Sequence, residues 1–347
     1  MYISDESNLD DLYRSVLPKF LDEHTQSGYY QVTTAHARSK RTPSIHYRLC
    51  VAPEARAWIV ILVGRAEAVS KYAEIIYECY QNGFSVFCFD HVGQGQSSRL
   101  IDDPQMGYID HFSTYLHDTQ DLFKHVLIPA KAQAQQGHLA NYLLAHSMGA
   151  AIGALLLQEQ ALKHINSSSG QAISFSKAAL CAPMFGISAP IPKLVAKLIV
   201  LFGSQIHRLL KVPAGYFLGQ SQYTELPFEE NKLTSSKVRY KIFKQWFAKN
   251  KEAQLGGVTF QWLNAALNAM DEIEKQADKI QIPTLILQAS KDRIVDNQSM
   301  TRVINKMPNA TKLEIVGSEH EILFEQDAYR LKAIRAIFNF FNTEQSC

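Results

Sequence analysis

Residues 141–157 constrain this chain more than any other stretch. Asn141-Tyr142-Leu143-Leu144-Ala145-His146 is an apolar run that ends beside Ser147. Met148-Gly149-Ala150-Ala151-Ile152-Gly153-Ala154-Leu155-Leu156-Leu157 follows and is apolar again. The first run has the length of a buried strand and the second that of an apolar helix. Only Ser147 and its small neighbours separate them, so the junction must be a very tight turn with Ser147 at its apex. Large side chains two residues to either side would clash in such strained backbone. Gly149 meets that condition. Ala145 stands where the pattern G-x-S-x-G usually has glycine, and adds one methyl group. A serine held in this way is presented as a nucleophile, and an acid and a histidine must then follow it.

The rest of the chain alternates strands with helices. Tyr29–Thr34 and Ile45–Val51 predict an antiparallel hairpin at a sheet edge. Trp58–Val63 and Phe84–Phe89 are continuous apolar strands, suited to a sheet covered on both faces. A helix through Tyr72, Ile75, Ile76 and Tyr80 ends at Asn82-Gly83. Another runs from about Phe112 to Ile128 and stops at Pro129. Lys177–Ala182, Pro283–Gln288 and Leu313–Val316 continue the strand series, and a helix through Ala328, Leu331, Ile334, Ile337, Phe338 and Phe341 closes it. This rhythm calls for an α/β fold with a mostly parallel, doubly wound sheet. It breaks between Met184 and Ala277, where the sequence is helical, aromatic and basic. The predicted organisation is an α/β core, residues 1–183 and 278–347, with a helical cap, residues 184–277, inserted between two strands. Ser167-Ser168-Ser169-Gly170 reads as a loop.

Two strand ends downstream of Ser147 carry the missing chemistry. One gives Ala289-Ser290-Lys291-Asp292-Arg293-Ile294-Val295-Asp296, the other Gly317-Ser318-Glu319-His320-Glu321. The order serine, acid, histidine places all three side chains at one edge of a parallel sheet, where such folds bind ligands. His320 is the expected general base and Asp292 the acid that orients it, with Asp296 as the alternative acid. The backbone N–H of Met148, at the helix start, is one expected oxyanion donor. The backbone N–H of Arg65, in the loop after the Trp58–Val63 strand, is the other. His146 and His91 read as packing residues, Asp90 as a brace for the Gly93–Gly95 turn, and Gly83 and Gly107 as turn residues.

Composition narrows the field further. A formal net charge of +2 argues against a nucleic-acid binder dominated by phosphate contacts. Five scattered cysteines with no C-x-x-C pair predict neither a disulfide framework nor a zinc site. His111, His117 and His125 share no helical face, and His320-Glu321 lacks the second histidine of a zinc protease. No metal and no cofactor are expected. The acidic N-terminus has no apolar signal region, and no uncharged apolar run is long enough to span a bilayer. The expected location is the cytoplasm, with peripheral attachment to the inner membrane as an option. Nothing in the sequence specifies an oligomeric state.

From about Tyr30 to Phe341 the chain resembles the bacterial lysophospholipases related to monoacylglycerol lipases, within the α/β-hydrolase superfamily. The resemblance rests on Gly64-Arg65-Ala66-Glu67 with Lys71-Tyr72-Ala73-Glu74, and on Asp90-His91-Val92-Gly93-Gln94-Gly95-Gln96-Ser97. It also rests on Leu144-Ala145-His146-Ser147-Met148-Gly149, Ala182-Pro183-Met184-Phe185-Gly186 and His320-Glu321-Ile322-Leu323-Phe324-Glu325. It implies the α/β-hydrolase fold, with Ser147 as nucleophile, His320 as base and Asp292 as acid. The H-G-x-G-E loop of monoglyceride lipases reads Val63-Gly64-Arg65-Ala66-Glu67 here, without the leading histidine and second glycine. The implied reaction is hydrolysis of the fatty-acyl ester of lysophospholipids through an acyl-serine. The alternatives are a monoacylglycerol lipase, a general carboxylesterase or acyltransferase, and a non-catalytic lipid- or partner-binding module. Residues 191–212 alternate apolar positions with Lys193, Lys197, Arg208 and Lys211. A basic amphipathic helix of this kind predicts contact with an anionic membrane and delivery of a single-chain lipid to Ser147.

Overall fold

The computed structural model describes residues 1–34, 36, 39, 42–166, 174–188, 193–209 and 215–343. The 167–170 loop, Ile191, Leu210, Lys211 and Cys347 lie outside these residues, as do the side chains of Lys193 and Arg208.

The strands are β1 (Thr25–Gln31), β2 (Ser44–Cys50), β3 (Ala57–Leu62), β4 (Phe84–Phe89), β5 (Asn141–His146), β6 (Phe175–Cys181), β7 (Thr284–Ala289) and β8 (Ala310–Ile315). They form one sheet in the order β1-β2-β4-β3-β5-β6-β7-β8. β1 and β2 pair antiparallel, as β2 does with β4, and the remaining pairs are parallel. Parallel neighbours need crossovers, and helices on both faces supply them.

The period-two alternation of side chains divides the core. Trp58, Val60 and Leu62 of β3 join Phe87, Leu143 and Leu180 on one face, while Ile59 and Ile61 join Val86, Leu144 and Leu285 on the other. Every β3 and β4 residue is buried, so their unbroken apolar runs are explained.

The helices that matter here are α1 (Leu17–His24), α2 (Ala73–Gln81), α3 (Ser113–Leu122), α4 (Met148–Asn166), α5 (Lys193–Leu209), α6 (Lys237–Lys249), α7 (Phe260–Lys275), α8 (Asn297–Ile304) and α9 (Asp327–Asn342). α2 stops where Gly83, at φ +76°, bonds back to the carbonyl of Tyr80 at 3.0 Å. The expected stop at Pro129 does not occur. A π-helical turn at Phe123–Leu127 follows α3, and helix resumes over Ile128–Gln133. Pro129 thus occupies the first turn of a new segment, where its missing N–H costs little.

Between β6 and β7 the described residues form α5, α6 and α7 and add no strand to the sheet. α7 buries Trp262, Ala266, Met270 and Ile273 in the first core face, against α4. α6 reaches the opposite face, where Ile242 packs and Arg239 bonds Glu74 of α2. The segment therefore straddles the sheet's edge.

Candidate active site

Ser147 sits between β5 and α4 at φ +51°, a left-handed conformation that non-glycine residues rarely adopt. Its N–H donates to Cys181 O at 3.0 Å, and its carbonyl accepts from Met184 N at 3.1 Å. These bonds hold the strained turn from both sides. A Cβ on Gly149 would lie 2.2 Å from the carbonyl oxygen of Leu62, so only glycine fits there. Ala145 is fully buried, its methyl group accommodated in the core.

Asp292 follows β7 and His320 follows β8. The Asp292 carboxylate lies 2.7 Å from His320 Nδ1, and His320 Nε2 lies 2.9 Å from Ser147 Oγ. With a carboxylate at Nδ1, the proton belongs there, which leaves the Nε2 lone pair facing the serine. Asp292 also accepts from the N–H groups of Ile294 at 2.8 Å and Val295 at 3.0 Å. Burial works to raise its pKa, but the bonds from His320 and the two amides hold it below the usual carboxylate range. Asp296 faces elsewhere. It is the N-cap of α8 and accepts from Gln298 N and Ser299 N, each at 3.0 Å.

Met148 is the first residue of α4, where helix N–H groups have no intrahelical partner. Arg65 lies in the loop after β3. Neither N–H donates a hydrogen bond among the described residues.

The loop that carries Arg65 is tied to a buried carboxylate. Glu67 accepts from Gly64 N, from Lys71 Nζ at 2.8 Å, from Tyr72 Oη at 2.6 Å and from His146 Nδ1 at 3.3 Å. Burial disfavours its ionised form, yet Lys71 and His146 hold its pKa well below normal. His146 in turn bonds the carbonyl of His320 through Nε2 at 3.2 Å. It is thus a link between the loop and the catalytic-edge histidine as well as a packing residue. Glu67 received no role from the sequence, although it stands four residues before Lys71 and three after a glycine at a strand end.

The Arg65 side chain turns away from the loop. Its Nη2 donates to Gly256 O and its Cζ lies 5.4 Å from the centre of the Trp262 ring. A Cβ on Gly107 would lie 2.6 Å from that Nη2. A side chain at Gly107 would have to displace that guanidinium, and Gly107 lies in a bridge with Val258 and not in a turn: its φ is not positive, whereas Gly83, Gly93 and Gly95 do have positive φ. Asp90 accepts from Gln96 N at 2.8 Å, beside Gly95.

A cavity of about 540 Å³ borders Arg65, Ala66, Glu67 and Glu321 and is walled by Tyr240, Phe243 and Trp246 of α6. A larger one, about 920 Å³, lies between α3, α4 and α7 and touches none of Ser147, Asp292 and His320. The smaller cavity is not lined by them either, but it borders the loop that carries Arg65.

Residues 53–327 match the serine aminopeptidase S33 family. The chain is 34% identical to the probable lysophospholipase L2 of Haemophilus influenzae over 91% of its own length and 94% of that protein's. It is 35% identical to lysophospholipase L2 of Escherichia coli K12 over 83% and 81%, respectively. Among solved structures, a soluble variant of Saccharomyces cerevisiae monoglyceride lipase, in complex with a substrate analogue, superposes with a TM-score of 0.65. That pair is 16% identical, over 90% of this chain and 97% of the other.

Proposed function

The chain belongs to the serine aminopeptidase S33 family, and from that premise we propose that it is a lysophospholipase working through an acyl-serine. The hydrogen-bonded series Asp292–His320–Ser147 carries the reading of the chemistry. The lysophospholipases at 34–35% identity support the substrate class.

His320 Nε2 takes the proton from Ser147 Oγ as the oxygen attacks the acyl carbonyl, and Asp292 stabilises the resulting imidazolium. The N–H groups of Met148 and Arg65 receive the oxyanion. His320 returns the proton to the departing glycerol oxygen. Water then attacks the acyl carbon while losing a proton to His320, and His320 passes that proton to Ser147 Oγ as the fatty acid leaves. Residues 184–277 act as a cap over this edge of the core.

The same reading extends to a membrane surface. Val195, Leu198, Leu201, Phe202 and Ile206 of α5 are exposed, Phe202 at 71%, and their spacing sets them along one helix side. This stripe rests on lipid. Lys197, expected to meet anionic headgroups, is paired with Asp271, so apolar contact supplies the larger share. No helix among the described residues is long and apolar enough to cross a membrane.

The test is a panel of lysophosphatidylethanolamine, monoolein and p-nitrophenyl butyrate, run with wild type and Ser147→Ala. Wild type is expected to favour the lysolipid, with kcat lower by roughly 10⁴-fold or more in the variant. Turnover of monoolein alone would move the substrate to monoglycerides. A serine-directed fluorophosphonate that labels neither protein would leave a binding module.

A further inference from the structure

Among the described residues the charge on Arg65 has no counter-ion. The ionisable groups that act on it are the phenols of Tyr115 and Tyr216, and among the described residues no carboxylate forms an ion pair with the guanidinium. Desolvation pushes its pKa down to about 10, so it remains a cation at neutral pH. Its guanidinium donates to a neutral carbonyl, on Gly256.

The surrounding polar atoms are also unsatisfied. Arg65 Nε, Tyr216 Oη and His91 Nε2 are buried without a hydrogen-bond partner. They form one neighbourhood: His91 packs its ring on Tyr115 at 5.6 Å, Tyr115 Oη meets Trp262 Nε1 at 3.3 Å, and Trp262 lies under Arg65. Buried polar atoms in a folded protein are nearly always paired, and an uncompensated cation is costlier still. Two donors and one bare imidazole nitrogen beside a lone positive charge describe a place for an anion with hydroxyl groups near it.

Bond counting compares the two reaches. In a 1-acyl lysophospholipid the phosphorus lies six bonds from the ester carbonyl carbon. The Cζ of arginine lies six bonds from its own backbone nitrogen. If the Arg65 N–H meets the oxyanion, its side chain is long enough to match the span from the reacting carbonyl to the headgroup phosphate.

We propose that the Arg65 guanidinium binds the headgroup phosphodiester, so that one residue serves the reacting carbonyl with its backbone and the phosphate with its side chain. This rests on the lysophospholipase reading. The planar fork of arginine suits two phosphate oxygens at once, which lysine cannot match. Trp262, Gly107 and Gly256 hold it in place before substrate arrives.

Arg65→Gln and Arg65→Lys test it, with thermal melting to verify the fold of each. The expected result for Arg65→Gln is a fall of at least tenfold in the ratio of kcat/KM on lysophosphatidylethanolamine to kcat/KM on monoolein, expressed in KM. Arg65→Lys should recover part of the ratio. An equal fall on both lipids, leaving the ratio unchanged, would make the side chain a structural tether and overturn the proposal. A second assay needs no lysolipid turnover. Glycerol 3-phosphate should inhibit wild-type hydrolysis of p-nitrophenyl butyrate competitively, and Arg65→Gln at least tenfold more weakly. Equal inhibition overturns the phosphate site alone, whereas wild type that ignores lysolipids but is inhibited through Arg65 overturns the substrate reading alone.

Discussion

His146 joins Glu67 to His320: it bonds the Glu67 carboxylate on one side and the His320 carbonyl on the other. Burial opposes a charge on His146, but Glu67 prevails and raises its pKa above the ordinary histidine value. The sign follows. A raised folded pKa stabilises the protein fully below the unfolded value, near 6.5, and that contribution is lost as pH rises through the folded value. Urea unfolding of wild type should therefore show this contribution at pH 6 and less of it toward alkaline pH. Glu67→Gln should flatten that slope, and it should also lower kcat because Gly64 and Arg65 lose their anchor. An unchanged slope in the variant would show that His146 stays neutral.

Asp292 and Asp296 lie four residues apart and do different work. Asp292→Asn removes the carboxylate that fixes the His320 tautomer, and kcat should fall by roughly 10³- to 10⁴-fold. Asp296→Ala removes a helix cap, and the expected loss is about 1 kcal/mol of stability with a far smaller effect on kcat. Reversal of the two kinetic effects would make Asp296 the acid.

Gly149 is fixed by backbone, not by a movable side chain. Gly149→Ala should destabilise by about 2–3 kcal/mol or fail to fold, because its methyl group meets the Leu62 and Val63 carbonyls. Ala145→Gly should fold and retain activity. Melting temperatures of the two variants, side by side, test whether the turn tolerates a methyl group on one flank only.

The α5 stripe predicts a hierarchy. Leu198→Ser with Phe202→Ser should reduce sedimentation with phosphatidylglycerol vesicles more than Lys197→Glu does, since Lys197 is already engaged by Asp271. A dominant effect of Lys197→Glu would return the membrane contact to electrostatics.

What could be read in advance follows the range of each interaction. Strand runs such as Phe84–Phe89 are local patterns, and their positions were legible to the residue. Ser147, Asp292 and His320 stand at strand ends, so topology alone predicted their meeting. Local reading failed where partners are distant in sequence. The Glu67–His146 bond spans 79 positions, and the space beside Gly107 is filled by a guanidinium from residue 65. Pro129 misled for a different reason: a π turn can place proline at a fresh helix start.

One further linkage ties α6 to the core. Arg239 of α6 bonds Glu74 at 2.9 Å and Asp327 at 3.2 Å, while Arg330 of α9 bonds Glu78 at 2.9 Å and Glu74 at 3.2 Å. Ser4 closes the group by donating to Glu78 at 2.6 Å. Stranding one charge of such a buried set costs about 3–5 kcal/mol. α6 is therefore a fixed post. Any movement of this helix away from the sheet would first have to break that set, so α6 belongs mechanically to the core although it lies between β6 and β7 in the chain.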